Sequence, residues 1–327
     1  MREEIKNQNV ELTSQDIFGL PVYTDVLFSN HKNIYKRSVE KRQRKLLAKV
    51  SFIRPFLNTG EKILHVTTGC SPISSAEQLL TGWIIFYLKR SLFVFTNIRV
   101  FHIPTTQNLS YRNSIAQILY SDCSKIYIQW SKLVAEYKNG KKEQFPCIAG
   151  KERKKLKLIL EYAPVQGQPS DSPERTHLCP RCTSPLIKNN FTCPNCSLEF
   201  KNKARGRKLS IIYPGGGYFY TRHPFLGIAD ALAESYFSLL VLVAFIGVVT
   251  GTSEFIPGLV LFSFILALEK AISVYHSNHF IDEFIPKDHK IEVLLEVPQS
   301  PPQSVPPPEP TRESKPEEIL SAAWRGQ

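Results

Sequence analysis

The sequence predicts a multi-domain chain with a β-rich N-terminal domain, a small metal-binding ribbon and a C-terminal pair of membrane-crossing helices. Three observations predict this fold class. Short apolar runs with period-two alternation recur between residues 60 and 150, two Cys-x2-Cys pairs follow, and two long apolar runs lie between residues 235 and 276. Alternation of this kind is typical of half-buried strands, and apolar runs of about 20 residues are typical of transmembrane helices.

The composition limits the partners that the chain suits. Its formal net charge is +12, from 41 Lys and Arg against 29 Asp and Glu. This balance favours an anionic partner, either a membrane surface or a nucleic acid, and in a membrane-tethered chain the anionic inner leaflet is the simpler one. The seven cysteines are an odd number, and four of them have metal-ligand spacing. We therefore expect no disulfide framework in modules that face the cytosol.

The first 47 residues are predicted to form a basic N-terminal segment. Between His31 and Arg54 the chain carries nine Lys and Arg and a single acid, Glu40, with apolar residues such as Leu46 and Val50 at helical spacing. Two interpretations remain open at this point. Such a helix can lie on anionic lipid with its apolar stripe buried in the bilayer surface, or its stripe can dock on the next domain.

The stretch from residue 60 to 165 is predicted to be a small β domain capped by one helix. In the clearest strand, Ile126, Ile128 and Trp130 alternate with polar or amphipathic neighbours. Asn139-Gly140 is a strong hairpin signal, because a two-residue type I′ turn needs positive φ at both positions. After residue 150 the apolar period changes to that of a helix, over residues 150–163. Strands are predicted at 62–68, 83–88, 92–96, 98–103, 115–120, 125–130, 132–138 and 141–148.

Three stretches of this domain carry a family resemblance: Leu92-Phe-Val-Phe-Thr-Asn-Ile-Arg-Val-Phe, Tyr111-Arg-Asn-Ser-Ile-Ala-Gln-Ile and Tyr137-Lys-Asn-Gly-Lys-Lys-Glu-Gln-Phe. Residues 48–165 thereby resemble bacterial pleckstrin-homology-like domains, which are related to the GRAM group. The resemblance implies a seven-stranded barrel-like bent sheet closed by a C-terminal helix, and binding of lipid headgroups or protein partners. We infer no headgroup-binding residues from the resemblance, because the basic loop between the first two strands that would bind a headgroup is not evident and the loop from Gly69 to Ala76 is neutral.

After a linker at 166–175, residues 176–200 are predicted to form a zinc ribbon. Cys179-Pro-Arg-Cys182 and Cys193-Pro-Asn-Cys196 each place two thiolates on one tight turn, and two such turns complete a tetrahedral zinc site. Four cysteine ligands leave no open position for water, so the zinc is expected to be structural. Redox-active or metal-free thiols are the alternative.

Residues 201–234 are predicted to be a basic and aromatic juxtamembrane segment. Its cations are candidates for contact with lipid headgroups, and nucleic-acid phosphate is the alternative ligand. Gly215 to Gly217 permit close backbone approach, and the Pro-Gly-Gly-Gly-Tyr stretch is similar to small bacterial membrane domains of unknown function that contain a short or re-entrant helix. The candidate lipid-contact residues are Lys201, Lys203, Arg205, Arg207 and Lys208.

Residues 235–276 are predicted to form two transmembrane helices joined by a short turn. Lys and Arg flank the pair on both sides, and the turn around Glu254 has none. The positive-inside rule then places both termini in the cytoplasm. We expect a multi-pass protein of a bacterial inner membrane, with a post-membrane segment at 277–297 and a Pro-rich disordered tail at 298–327.

Three carboxylates within or beside the spans suggest a proton or ion path: Asp230, Glu234 and Glu269. The alternative, which we favour, is that they lie near the interface or pair with Lys270 and Arg222. Two helices alone cannot enclose a path, so transport would require a homo-oligomer.

No Ser/His/Asp order, open metal site or phosphate-binding loop is evident in the sequence. The preferred hypothesis is a non-catalytic membrane-anchored adaptor that binds lipid headgroups or protein partners. The alternatives are an oligomeric transporter or channel subunit and a membrane-tethered nucleic-acid binder.

Overall fold

The computed structural model describes residues 13–165 and 167–288. These residues divide into two compact units, one built from the chain up to Ser75 with Trp83–Pro185, and the other from Ala76–Gly82 with Leu186 onward. The predictions for the first twelve residues and for the Pro-rich tail lie outside the described residues.

The strands of the first unit form two sheets. A seven-stranded sheet has the order β1-β2-β3-β4-β5-β6-β10, and a three-stranded sheet has the order β7-β8-β9. All neighbouring strands are antiparallel except β2 and β3, which pair in parallel at Val22 and Ile63. The strands are β1 (Ser14–Ile17), β2 (Leu20–Tyr23), β3 (Ile63–Cys70), β4 (Arg90–Thr96), β5 (Arg99–Pro104), β6 (Ile115–Leu119), β7 (Cys123–Gln129), β8 (Lys132–Tyr137), β9 (Lys142–Phe145) and β10 (Thr176–Leu178).

The helices follow the same chain order. Short 3-10 turns also occur at Ser51–Phe56, Tyr120–Asp122 and Ser253–Phe255. The α-helices are α1 (Thr24–Leu27), α2 (Arg37–Val50), α3 (Ser75–Thr81), α4 (Ile84–Leu88), α5 (Arg153–Glu161), α6 (Lys203–Ile212), α7 (Gly216–Tyr220), α8 (Pro224–Val249) and α9 (Ile256–Ile281).

The larger sheet is buried on both faces. Phe93 and Phe95 of β4 point into a core shared with the smaller sheet and α5. Leu92 and Val94 point the other way, into a core shared with α2. Because both faces of the sheet are covered, the sequence of β4 is a continuous apolar run and does not alternate between apolar and polar residues.

The smaller sheet keeps the alternation that the sequence predicts. Ile126 and Ile128 of β7 are buried, while Lys125 and Gln129 are exposed. The predicted hairpin joins β8 to β9, but Gly140 alone of the Asn-Gly pair adopts positive φ, at 81°. The expectation of a two-residue type I′ turn is therefore wrong, since Tyr137 N–H bonds across a longer loop to Lys141 O at 2.8 Å.

The two sheets are separate and are not closed into a barrel. The strand predicted at residues 83–88 is also wrong, because the chain there forms the short helix α4. An apolar run without alternation has no period that separates a strand from a helix. The two sides of this segment differ in exposure, since Ile85 is buried whereas Trp83 and Tyr87 are exposed.

Helix α2 shows which interpretation of the basic segment holds for residues 37–50. Its Leu46, Leu47 and Val50 are buried in the core beneath the larger sheet. Gln43, fully buried, accepts a hydrogen bond from Val66 N–H at 3.1 Å and donates one to Val66 O at 2.9 Å. The apolar stripe is therefore docked on the β domain. Lys41, Lys45 and Lys49 lie on the outer side of α2, whereas Arg42 pairs with the buried Glu152.

Candidate metal centre and polar helix interface

The four ribbon cysteines come together in one cluster. Their sulfur atoms all lie within 4.8 Å of one another, with Cys179 and Cys193 buried and Cys182 and Cys196 half-buried. Within the described part of the chain, they are the only group of three or more His, Cys, Asp or Glu side chains placed closely enough to hold a metal ion.

The two cysteine turns have the same local geometry. In each, the residue four positions after the first cysteine has positive φ, 62° at Thr183 and 56° at Ser197. The N–H of that residue donates to the carbonyl of the first cysteine, to Cys179 O at 2.9 Å and to Cys193 O at 3.0 Å. Each turn thus presents two sulfurs on the same side, and the four sulfurs together are placed closely enough to hold one metal ion.

Two helices of the second unit are long and apolar enough to cross a membrane: Pro224–Val249, with 26 residues, and Ser253–Ile281, with 29. Their most apolar stretches are only 11% and 0% buried. Core helices of soluble proteins bury such stretches. The surfaces of α8 and α9 instead expose large apolar side chains, including Leu239, Phe245, Val260 and Phe264.

One ion pair joins these two helices. Lys270 Nζ of α9 lies 2.7 Å from Glu234 Oε2 of α8, and the Glu234 side chain is 1% exposed. The same ammonium donates to Ser210 O at 2.9 Å, and Gly215 N–H donates to Glu234 Oε2 at 3.1 Å. Of the two pairings expected for the carboxylates, the one with Lys270 is present.

The second expected cation partner is engaged elsewhere. Arg222 Nη2 donates to the carbonyls of Pro286 and Asp288, at 3.0 and 2.9 Å. Asp230 and Glu269 are half-buried on α8 and α9. The three carboxylates do not form a metal-sized cluster among the described residues.

Helices α6 and α7 form a hairpin that runs along the last turns of α9. Gly206 packs against Ile281, and Ser210 Oγ lies 3.3 Å from Ser277 Oγ. The returning arm places Tyr218 OH 2.7 Å from His276 Nδ1. Helix α6 therefore runs along α9 from Ile281 to the level of Lys270, and α7 returns along α9 to the level of His276.

The glycines permit this close approach. Gly215 has φ of 67°, and a Cβ there would lie 2.1 Å from Gly227 O. A Cβ on Gly217 would lie 1.9 Å from Ser210 Oγ and 2.2 Å from Ser277 Oγ. Side chains at these positions would push the hairpin away from the two long helices.

The candidate lipid-contact residues separate into two groups. Lys201 is buried and donates to Tyr220 O, and Lys203 Nζ pairs with Asp282 Oδ1 at 2.6 Å. Both cations therefore contact partners within the second unit. The exposed cations are Arg205, Arg207 and Lys208.

The first unit has an open groove that sequence reasoning missed. It measures about 390 Å³ and lies between β7 and α5. Its floor is apolar and its rim carries Lys125, Lys157 and Glu161. In the described part of the chain β7 is an edge strand, so one side of its backbone faces this groove. No local sequence signal marks the groove, because it arises only when a helix packs beside a strand far from it in the chain.

No family model, curated protein or solved structure matches this chain. The function is therefore argued from the residues themselves.

Proposed function

We propose that the chain is a non-catalytic, membrane-anchored adaptor that contacts anionic lipid headgroups through α6. The observation that carries this proposal is the position of the exposed cations of α6 beside the end of a helix long and apolar enough to cross a membrane. In this proposal the helices cross a bacterial inner membrane with both termini in the cytoplasm.

The length of α9 supports the depth that this proposal assigns to α6. The hydrocarbon core takes about 20 helical residues, which Ile256 to Tyr275 supply. At about 1.5 Å per residue, Ile281 then lies about 9 Å beyond the core, at headgroup level. Gly206 packs against Ile281, so its neighbours Arg205 and Arg207 lie at that level too. Each cation near an anionic surface contributes about 1 kcal/mol.

We assign zinc to the four-cysteine cluster, in a structural role. Thiolate ligands favour zinc among the common divalent ions, and four of them leave no position for a reacting water. The second cysteine turn leads directly into the basic helix. Phe200, after this turn, contacts Phe284 with ring centroids 5.6 Å apart, and Lys201 N–H donates to Ile285 O at 2.9 Å. The ribbon is thus suited to hold the start of α6 against the end of α9.

A protein partner is the second element of the adaptor proposal. The resemblance to pleckstrin-homology-like domains implies seven strands and a C-terminal helix, and the seven strands β3–β9 followed by the helix α5 support this part of the proposal. The groove between β7 and α5 offers an apolar floor and an edge strand, the features that extended peptides use for strand addition. Lys125→Glu and Lys157→Glu should release a copurifying partner that binds there, whereas Lys132→Glu should not.

The lipid contact is tested with the full-length protein in neutral detergent. Binding of pyrene-labelled phosphatidylglycerol and phosphatidylcholine is measured at low and high salt, with DNA and RNA as competitors. The triple variant Arg205→Gln, Arg207→Gln, Lys208→Gln is compared with a control triple on the outer side of α2, Lys41→Gln, Lys45→Gln, Lys49→Gln.

The proposal expects salt-sensitive binding of phosphatidylglycerol that survives the competitors and that the α6 triple weakens by at least tenfold, since three cations contribute about 3 kcal/mol. The α2 triple should leave it unchanged. Equal affinity for both lipids would refute the headgroup contact. Displacement of the lipid by nucleic acid would favour the nucleic-acid alternative instead.

A second candidate function rests on the charge balance between α8 and α9. Three carboxylates, Asp230, Glu234 and Glu269, accompany one ammonium, Lys270, and the buried Oε1 of Glu234 accepts no hydrogen bond within the described residues. An oligomer that moves protons or cations would use such groups. Proteoliposomes that show no ion flux, or flux unchanged by Asp230→Asn and Glu269→Gln, would exclude it.

A further inference from the structure

The segment between β3 and β4 exposes a set of large apolar side chains. Leu79 of α3 is 86% exposed and Trp83, next to α4, is 84% exposed. On α4 itself, Ile84 and Tyr87 are 56% and 61% exposed, and their neighbour Ile85 is buried. Single exposed apolar residues are ordinary, but four within nine residues mark an interaction surface.

The α3 part of this segment is held against the last turns of α9. Thr81 Oγ1 lies 3.1 Å from His276 Nε2. Glu77, whose side chain is fully buried, lies 3.6 Å from His279 Nε2. These contacts fix Leu79, which lies between Glu77 and Thr81, relative to α9. Trp83 follows Thr81 by two residues, so its Cα lies at most about 7 Å from that of Thr81.

The position of His276 on α9 gives the depth of the α3 segment in the bilayer. This step rests on the proposed function, in which α9 crosses the bilayer. If Ile256 to Tyr275 fill the hydrocarbon core, His276 is the first residue beyond it, at the layer where acyl chains meet headgroups. Thr81 lies at the same layer because it contacts His276. Leu79, two residues before Thr81 on the same helix, therefore lies close to the interfacial layer, and the chain keeps Trp83, two residues after Thr81, within reach of that layer.

We propose that Leu79, Trp83, Ile84 and Tyr87 insert into the interfacial layer of the bilayer as a third membrane contact, separate from the two long helices and from the cations of α6. The chemistry of the side chains fits this layer, because Trp and Tyr are enriched where the acyl chains meet the headgroups.

Tryptophan fluorescence of the full-length protein in phosphatidylcholine nanodiscs tests this proposal. The chain has three tryptophans, at 83, 130 and 324. The variant Trp130→Phe, Trp324→Phe retains only Trp83. Its matched control, Trp83→Phe, Trp324→Phe, retains only Trp130, which is 86% exposed and lies in the turn between β7 and β8. Each variant is measured with brominated acyl chains, which quench from within the bilayer, and with iodide, which quenches from water.

We expect Trp83 to have blue-shifted emission, to lose emission in brominated lipid and to resist iodide, and Trp130 to be quenched by iodide. Iodide quenching of Trp83 without quenching by brominated lipid would overturn the proposal. Protection of Trp83 from both quenchers would also overturn it, because a second copy or a protein partner would then cover the segment. Alkaline extraction of cell membranes that carry the same variants separates the two claims. A chain that resists extraction while Trp83 stays in water refutes the insertion alone, whereas an extracted chain refutes the membrane anchor itself.

Discussion

Lys270 Nζ lies 2.7 Å from Glu234 Oε2, and this pair connects four helices. The lysine is on α9 and the glutamate on α8. Lys270 also donates to Ser210 O at the end of α6, and Glu234 accepts from Gly215 N–H at the start of α7. The ion pair therefore lies where the α6–α7 hairpin meets the two long helices, and we propose that it holds the hairpin against them.

Removing one partner of this pair should destabilise the second unit. Glu234→Gln or Lys270→Met leaves the other charge in an apolar setting without its counter-ion, at a cost of about 3–5 kcal/mol. We expect both variants to unfold at lower temperature in detergent and to gain protease cleavage within residues 201–223. The double variant Glu234→Gln, Lys270→Met should recover part of the loss, because neither member of the pair is then left without the other.

The matched control is Glu254→Gln in the exposed turn between the long helices, which should leave stability unchanged. If the single variants behave like this control, the pair does not hold the hairpin.

Loss of any ribbon cysteine should abolish metal binding. The native protein is expected to carry one zinc per chain, measured by inductively coupled plasma mass spectrometry, and Cys179→Ser or Cys193→Ser should reduce this to near zero. Structural zinc in small domains contributes about 10 kcal/mol or more of apparent binding free energy at neutral pH, so chelation should also expose residues 176–200 to protease. Cys147→Ser, which changes an exposed cysteine outside the cluster, should retain the zinc. Full zinc content in the Cys179→Ser variant would contradict the site.

Cys147 should be more reactive than an ordinary thiol. A hydrogen bond from the buried Cys70 thiol stabilises the Cys147 thiolate and lowers the pKa of Cys147 to about 7, although partial burial opposes the shift. The thiolate is the reactive form, so the alkylation rate of Cys147 by iodoacetamide should rise with pH with a midpoint near 7 and level off above it. Cys70→Ala should move the midpoint upward, toward about 8.5.

Cys123 provides an internal control for that experiment, since burial raises its pKa to about 12 and should leave it unreactive in the native protein. A midpoint for Cys147 that is the same with and without Cys70 would show that the two thiols do not interact.

The close approach of α7 to α6 and α9 predicts a position-specific effect of alanine. Gly217→Ala places a methyl group 1.9 Å from Ser210 Oγ and 2.2 Å from Ser277 Oγ, and overpacking of this kind costs about 1–3 kcal/mol. We expect a lower unfolding temperature, measured by thermal shift in detergent, and a smaller loss when Ser210→Ala and Ser277→Ala accompany it. Gly258→Ala, where the nearest atom is 3.6 Å away, should be neutral. Equal behaviour of the two alanine variants would show that the hairpin does not pack this closely.

Local patterns predicted much of this architecture. The cysteine spacing identified the ligand cluster, because two residues between cysteines suffice to place both sulfurs on one turn. Alternation located β7 and β8, and apolar length located α8 and α9. These features depend on residues that are close in sequence, and the sequence therefore carries them directly.

Long-range features were harder to predict. Strands β1 and β2 have four residues each, too few for a periodic signal. Helix α4 was wrongly predicted as a strand because a short apolar run has no period that separates a strand from a helix. The pairing of Lys270 with Glu234 was one of several options until the fold brought residues 36 positions apart together. The commitment of Lys201 and Lys203 to internal partners also follows only from the fold.

The account depends most on the crossing of the membrane by α8 and α9, and accessibility from each side tests that directly. Glu254→Cys and Arg205→Cys are introduced separately in a Cys147→Ser background, and sealed vesicles of both orientations are treated with a membrane-impermeant maleimide. The account predicts that position 254 is labelled only from the outer side and position 205 only from the cytoplasmic side. Labelling of both positions from the same side would contradict it, because the helix pair would then not cross the bilayer.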